Sequence, residues 1–163
     1  PIVGASSTCI MTMRDEYPHL LGIDNSRVRD SLDLATKFIF KKISEGKKLN
    51  FRKDFHARIA YHTPCHLERL GWEYFSIELL KMIPGVELTV LESNCCGLAG
   101  TYGFKKENYE VSQAIGRPLF EQIAAVGPDF VACDCETCKW QIEMSTGVSV
   151  KHPVSVLAEA ICD

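Results

Sequence analysis

The sequence predicts an α/β fold: a Rossmann-like parallel sheet with flanking helices. First, short apolar runs of strand length alternate with longer segments in which apolar residues recur at helical spacing. Second, a cysteine cluster follows each of three predicted strands. Strands that alternate with helices form parallel sheets with crossover connections, and the carboxyl ends of such strands meet at one edge of the sheet.

The alternation is most regular after residue 55. The predicted strands are 58–61, 86–91, 130–132 and 148–150, and the predicted helices are 72–82, 106–126, 136–145 and 154–161. A proline inside a helix removes a hydrogen-bond donor and crowds the preceding turn. Pro118 is therefore expected to break the helix in which it lies, as the first residue of its second half.

In the first third of the chain, predicted strands and helices alternate less regularly. Residues 1–5 predict the end of a buried strand, and residues 10–21 predict a helix. The apolar residues of a second predicted helix recur at helical spacing and are Val28, Leu32, Ala35, Ile39 and Ile43. Asp24 or Asn25 is expected to cap it, and the polar, basic stretch 46–54 predicts a linker or exposed loop. Because the strand at residue 1 has no predicted partner, we expect this chain to be a fragment whose preceding part is missing.

Composition narrows the class of protein. The chain has 163 residues and a net charge of −3, with 46% apolar and 24% charged residues, which is ordinary for a soluble globular protein and does not suggest a nucleic-acid partner. No apolar run approaches the roughly 20 residues that span a bilayer, and the start lacks the charged leader of a secretory signal. Eight cysteines in a chain of this size favour metal binding in a reducing compartment, the cytosol, over a disulfide scaffold.

Five of the cysteines form three clusters: Cys65, the adjacent pair Cys95 and Cys96, and Cys135 with Cys138. Neighbouring side chains diverge in a regular helix or strand. They can converge in a turn released by a glycine, and Gly97 follows the pair directly. Since each cluster follows a predicted strand, we expect all five sulfurs at one edge of the sheet, within about 10 Å of one another.

Three interpretations of these cysteines are open. Burial as ordinary core residues explains Cys9, Cys133 or Cys162 individually, but not five cysteines at three strand ends. A structural zinc site needs four thiolates and leaves one of the five spare. Iron–sulfur clusters are held by cysteine thiolates, and the pattern favours them.

Other residues near the predicted strand ends have secondary roles in this interpretation. His66 and His152 are candidates to donate hydrogen bonds to a ligand sulfur, which tunes a metal centre. The spacing of Gly97, Gly100 and Gly103 lacks the Lys-Ser/Thr of a phosphate-binding loop. It predicts a loop that approaches the metal site closely.

The motifs around the cysteines are more specific. They read Tyr61-His-Thr-Pro-Cys-His66, Cys95-Cys-Gly-Leu-Ala-Gly-Thr-Tyr-Gly-Phe-Lys-Lys-Glu-Asn108 and Asp134-Cys-Glu-Thr-Cys-Lys-Trp-Gln-Ile-Glu-Met-Ser-Thr146. These motifs resemble the cysteine-rich CCG domain found in the B subunit of heterodisulfide reductase and in the iron–sulfur subunits of respiratory dehydrogenases. Within that group they resemble the C-terminal part of the C subunit family of anaerobic glycerol-3-phosphate dehydrogenases.

The resemblance implies a ligand set and a domain organisation. The ligands carried over are Cys65, Cys95, Cys96, Cys135 and Cys138, holding a [4Fe–4S] cluster, of non-cubane type in some relatives, or a zinc ion in others. Cys133 adds a thiol beside the last motif, where it could share a ligand position. Residues 1–54 would be the remnant of a preceding CCG repeat plus a linker helix, and residues 55–163 the second CCG domain.

The resemblance also implies a function. The chain would be a non-catalytic electron-transfer subunit of an oxidoreductase complex, relaying electrons from flavin-containing dehydrogenase subunits toward quinone. It would lie peripherally on the cytoplasmic face of the inner membrane. Two alternatives remain: a catalytic cluster that reduces a disulfide or thiol substrate, as in heterodisulfide reductase, and a zinc-stabilised interaction domain.

Overall fold

The computed structural model describes residues 1–162; residue 163, the last of the predicted second domain, lies outside the described part. The strands are β1 Ile2–Gly4, β2 Leu32–Leu34, β3 Ala57–His62, β4 Val86–Val90, β5 Phe130–Cys133 and β6 Val150–Lys151. The helices are α1 Ser7–Met11, α2 Tyr17–Leu21, α3 Ser26–Arg29, α4 Ala35–Ser44, α5 Cys65–Leu70, α6 Glu73–Lys81, α7 Tyr109–Val126, α8 Glu136–Thr146 and α9 Pro153–Ala160.

A four-stranded parallel sheet has the order β4–β3–β5–β6, and helices pack on both of its faces. Its strands begin and end within two residues of the predicted ones. The predicted α/β class, with a parallel sheet flanked by helices, is confirmed, whereas the Rossmann-like description stays a prediction. The sheet is parallel because each strand is followed by a helix that returns the chain to the starting edge.

The alternation of side chains along β3 divides the core into two layers. Ile59 and Tyr61 face the layer formed with α6 and α9, together with Ala132 of β5. Ala60 faces the other layer, formed with α7 and α8, together with Val131 of β5. By the same alternation His62, the last residue of β3, lies on the α7 and α8 side.

The N-terminal region corrects two predictions. The helix expected from residue 28 to residue 43 is wrong over its middle, because Leu32–Leu34 forms β2 and pairs in parallel with β1. The strand at the start of the chain therefore has a partner, which the sequence did not reveal. Leu32, Asp33 and Leu34 are all buried, and pairing with β1 outweighs a helical spacing that the sequence does possess.

Helix geometry differs from prediction at two further places. The predicted helix at residues 10–21 starts earlier, with α1, and passes through a π-helical segment, Thr12–Glu16, into α2. The predicted break at Pro118 is wrong, since α7 runs for 18 residues through it.

Within residues 1–162, no helix combines the length and the apolar character that crossing a membrane requires.

Candidate metal centre

Three strand ends place the five predicted cysteines around one cavity of about 240 Å³. Cys65 is the first residue of α5 and follows the end of β3 by way of Thr63 and Pro64. Cys95 and Cys96 lie in the loop after β4, and Cys135 and Cys138 lie at the start of α8, after β5. The structure thus brings the five together, and their role as metal ligands remains a prediction.

The thiol groups form a continuous chain of contacts. The sulfur of Cys95 interacts with those of Cys65 and Cys96, and the sulfur of Cys96 also interacts with that of Cys138. Cys138 interacts in turn with Cys135. All eight cysteines are free. A set of thiols in mutual contact, none of them consumed in a disulfide, is a donor set for a soft metal.

Two of these cysteines favour the thiolate form. The pKa of Cys95 falls to about 2, because its sulfur accepts hydrogen bonds from the Cys65 and Cys96 thiols and from the backbone N–H of Gly97; the Gly97 contact measures 3.3 Å. The pKa of Cys135 falls to about 5, since Cys138 and then the hydroxyl of Thr137 donate to it.

The other three cysteines of the cavity have raised pKa values and favour the thiol form. The pKa values of Cys65 and Cys96 are raised, because each donates its proton to a neighbouring sulfur and because burial disfavours the charged form. The pKa of Cys138 is raised by its contacts with Cys133 and Cys135. Metal-free, the site therefore combines two thiolates, Cys95 and Cys135, with thiols that donate hydrogen bonds to them. A bound metal would replace those protons.

Gly97 explains why two adjacent cysteines face the same cavity. Its φ of 91° lies in the left-handed region, and a Cβ at this position would stand 2.0 Å from the carbonyl oxygen of Ser112. The expected glycine turn is thus present, and α7 packs so closely that no side chain fits. On the other side of this contact, Gly116 of α7 must also lack a side chain, because a Cβ there would lie 2.5 Å from the Cys96 carbonyl oxygen.

Asp134 holds the turn between Cys133 and Cys135. Its buried carboxylate accepts a 2.7 Å hydrogen bond from the Tyr61 hydroxyl and a 2.9 Å bond from the Ser76 hydroxyl. Burial raises the pKa of this carboxyl, against the lowering effect of the Tyr61 bond. Ser7 donates to the Asp134 backbone carbonyl, so α1, from the start of the chain, also positions the last cysteine cluster.

The two histidines singled out from the sequence have other partners than expected. The ring of His66 hydrogen-bonds the Thr8 hydroxyl at 2.9 Å, and that hydroxyl lies 3.8 Å from the sulfur of Cys135. Among the hydrogen bonds of residues 1–162, His66 reaches a sulfur through Thr8. The prediction for His152 is wrong: its Nε2 lies 2.9 Å from the Ala5 carbonyl oxygen and its Nδ1 accepts from the N–H of Val154, so it caps α9.

Sequence reasoning missed His62 and left Cys133 undecided. Both are buried, and their ligand atoms lie within 4.8 Å of each other and of the Cys138 sulfur. Burial lowers the pKa of His62 to about 4. The only signal in the sequence was the position of His62 shortly before Cys65. Cys9 and Cys162 are exposed and do not line the cavity, as expected.

The rest of the cavity wall suits a thiolate-bound group. Among the described residues, the other lining side chains are apolar, hydroxyl-bearing or histidine: Thr8, Pro64, His66, Ala99, Thr101, Phe104 and Thr137. Hard cations such as Mg²⁺ and Ca²⁺ take oxygen ligands, mainly carboxylates. Thiolate ligands are those of zinc and of iron–sulfur clusters, so the donor set fits the cluster that the sequence predicts.

Residues 59–143 match the family of the cysteine-rich domain, CCG. They extend from β3 into α8 and include all five cysteines that line the cavity. The chain belongs to the cysteine-rich (CCG) domain family, and the resemblance inferred from the motifs is confirmed.

The chain is similar to longer proteins. It is 56% identical over 161 residues to the C subunit of anaerobic glycerol-3-phosphate dehydrogenase of Escherichia coli (strain K12), covering 99% of this chain and 40% of the relative. It is 30% identical over 173 aligned residues to an iron–sulfur protein of Methanocaldococcus jannaschii (98% and 32%). It is 29% identical over 147 residues to the B subunit of fumarate reductase (CoM/CoB) of Methanothermobacter marburgensis (88% and 28%). The chain spans 40% or less of the length of these relatives.

Proposed function

We propose that this chain is an electron-transfer module that holds an iron–sulfur cluster in the cavity between the three strand ends. The observation that carries the proposal is the convergence of five cysteine sulfurs on one cavity whose other walls offer no carboxylate among the described residues. The ligands are Cys65, Cys95, Cys96, Cys135 and Cys138. The cluster is of the [4Fe–4S] class, and the adjacent pair Cys95 and Cys96 suits a non-cubane form.

The similarity to named relatives supports this function. One relative is a subunit of an anaerobic glycerol-3-phosphate dehydrogenase and another is called an iron–sulfur protein. In our proposal the chain receives electrons from a flavin-containing dehydrogenase subunit and passes them toward the quinone pool. It acts peripherally at the cytoplasmic face of the inner membrane. Residues 1–54 belong to a preceding CCG repeat and its linker, and residues 55–163 form the second CCG domain.

The residues around the cavity have distinct tasks in this function. A bound cluster would supply one-electron redox chemistry. One side of the cavity is shielded from water by three buried cysteines, Cys96, Cys135 and Cys138. The opposite side of the cavity reaches the protein surface at Cys65, which is exposed. Phe104 lines the cavity, and its ring lies 6.1 Å from that of Trp140, which is 55% exposed. This rim is the side from which a redox partner would approach.

The proposal is tested by the metal content of the intact protein, purified without oxygen. Iron and acid-labile sulfide are measured in the wild type and in two serine variants, Cys96→Ser and Cys9→Ser. Cys96 lines the cavity and Cys9 does not, so only Cys96→Ser is expected to lose one cluster's worth of iron and sulfide. Equal iron and sulfide in all three proteins would overturn the cluster assignment.

Relay is favoured over catalysis because the chain is 56% identical to a dehydrogenase subunit over nearly its whole length. The alternative of a cluster that cleaves a disulfide is not favoured.

A further inference from the structure

His62 and Cys133 form a buried pair across the central strands of the sheet. They are register partners at the ends of β3 and β5, so their side chains project from the same face. The exposed fraction is 1% for His62 and 2% for Cys133. The sulfur of Cys138, from the first turn of α8, completes a group of three ligand atoms that all lie within 4.8 Å of one another.

The ring of His62 lacks the partners that a buried imidazole requires. Neither Nδ1 nor Nε2 has a hydrogen-bond partner among residues 1–162. Leaving a buried polar group unpaired is costly, and the large majority of buried side-chain polar atoms in folded proteins have a hydrogen-bond partner. One nitrogen of the His62 ring lies within 4.8 Å of both sulfurs, where a neutral imidazole can serve as a metal ligand.

We propose that His62, Cys133 and Cys138 form a binding site for one Zn²⁺ ion, distinct from the five-cysteine set and sharing only Cys138 with it. In tetrahedral zinc sites the bond lengths are about 2.0–2.3 Å, which separates ligand atoms by roughly 3.3–3.8 Å. Small side-chain movements bring the three atoms, now within 4.8 Å, to that spacing. Three protein ligands are the number found in zinc sites that keep one position open.

The charges of this site balance. Two thiolates and one neutral imidazole neutralise a divalent cation, which matters because an uncompensated charge in a buried site is costly. A cysteine binds zinc as the thiolate, so zinc binding releases the protons of the two thiols. Affinity for zinc should then rise with pH.

The shared residue makes the two occupants mutually exclusive. A Cys138 thiolate that is bound to Zn²⁺ is no longer available as the fifth ligand of a cluster. In this proposal zinc occupies the centre only when the cluster is absent. The zinc site itself stands on His62 and Cys133, whether or not the proposed function is correct.

The experiment compares zinc binding in matched variants of the intact, reduced, metal-free protein. Co²⁺ is titrated as a spectroscopic probe, Zn²⁺ competes it off, and bound zinc is quantified. Cys133→Ser removes a ligand of the zinc site only, whereas Cys65→Ser removes a ligand of the five-cysteine set only. We expect Cys133→Ser to weaken zinc binding at least about 100-fold, with the affinity of Cys65→Ser unchanged.

His62 is tested by substitution and by direct detection. His62→Gln should also weaken zinc binding, and X-ray absorption of the wild-type zinc complex should show one nitrogen and two sulfur ligands. If His62→Gln fails to fold, as judged by circular dichroism, the absorption measurement decides. A shell of sulfur ligands alone would overturn the proposal, as would equal loss of zinc in Cys65→Ser and Cys133→Ser, or the absence of zinc binding in the wild type.

A second arm separates this proposal from the cluster proposal. On reconstitution with iron and sulfide, Cys65→Ser should lose the cluster and Cys133→Ser should keep it. Zinc added first should block cluster assembly in the wild type but not in Cys133→Ser. Simultaneous full occupancy by zinc and cluster would overturn the sharing of Cys138. Loss of the cluster in every protein would contradict the proposed function and leave the zinc result standing.

Discussion

The hydroxyl of Tyr61 donates a 2.7 Å hydrogen bond to the buried carboxylate of Asp134. This bond joins the end of β3, which leads to Cys65, to the turn that carries Cys133 and Cys135. Two of the three cysteine clusters are therefore held relative to one another by a contact between side chains that do not line the cavity.

Tyr61→Phe should destabilise the protein by about 1–3 kcal/mol, because it leaves one carboxylate oxygen of Asp134 buried without its donor. Urea unfolding, followed by circular dichroism, measures the difference. The matched control is Tyr109→Phe, since Tyr109 is exposed, and it should change stability by less than about 0.5 kcal/mol. Equal effects of the two substitutions would contradict the role given to the Tyr61 hydroxyl.

Asp134 predicts a pH dependence of stability. Burial raises its pKa in the folded state, so the folded protein binds this proton more tightly than the unfolded chain, whose carboxyl has the ordinary pKa of 3.8. The stability contributed by this group is present below pH 3.8 and is lost as pH rises through the folded pKa. Asp134→Asn should flatten that part of the pH profile of unfolding free energy; an unchanged profile would mean that another group causes it.

The Cys95 thiolate predicts unusual alkylation kinetics in the metal-free protein. With a pKa of about 2, Cys95 is already ionised at about pH 6, so its rate constant with iodoacetamide should change little between about pH 6 and pH 8. The rate constant of an ordinary exposed thiol falls by about 100-fold when the pH is lowered from about 8 to about 6, because its thiolate fraction falls about tenfold for each pH unit. Mass spectrometry of Cys95 at each pH measures the rate. A Cys95 rate that falls as steeply as that of an ordinary thiol would refute the assignment.

Gly97→Ala should disrupt the centre and destabilise the fold by about 2–4 kcal/mol, because the new Cβ meets the Ser112 carbonyl and the backbone is left-handed. Gly22→Ala is the matched control. Its φ is 62°, but a Cβ there meets nothing within 4 Å, so only the backbone penalty of about 1–2 kcal/mol applies. Thermal unfolding and iron content, measured on both variants, check the prediction; a Gly97 variant with wild-type iron would count against it.

Cys96→Ser in the complete complex tests relay. Dehydrogenase activity with a soluble dye should persist, because that chemistry belongs to the proposed flavin partner, whereas quinone reduction should fall at least about tenfold because transfer through the cluster is broken. Both activities are measured on one preparation, with Cys9→Ser as the control. Loss of both activities with the complex intact would argue that this domain takes part in substrate chemistry. Retention of both activities would mean that the site has a structural role.

The sequence by itself determined the α/β class, the main strands and the grouping of the cysteines. Strand–helix alternation is a local pattern, and parallel strands with helical crossovers must bring their carboxyl ends to one edge. Gly97 indicated the turn that lets Cys95 and Cys96 converge. These conclusions depend on periodicity and backbone freedom, which can be recognised in the order of residues.

Only the tertiary structure decided the rest. The spacing around Leu32 is helical, yet pairing with β1 makes it a strand, because a partner distant in sequence outweighs a weak local preference. The pairing of His62 with Cys133 follows from the register of β3 and β5, and the unsatisfied ring of His62 is defined by what surrounds it in space. Thr8, 127 residues before Cys135, likewise reaches that cysteine through packing. Burial and register are properties of the folded chain, so no local pattern could reveal them.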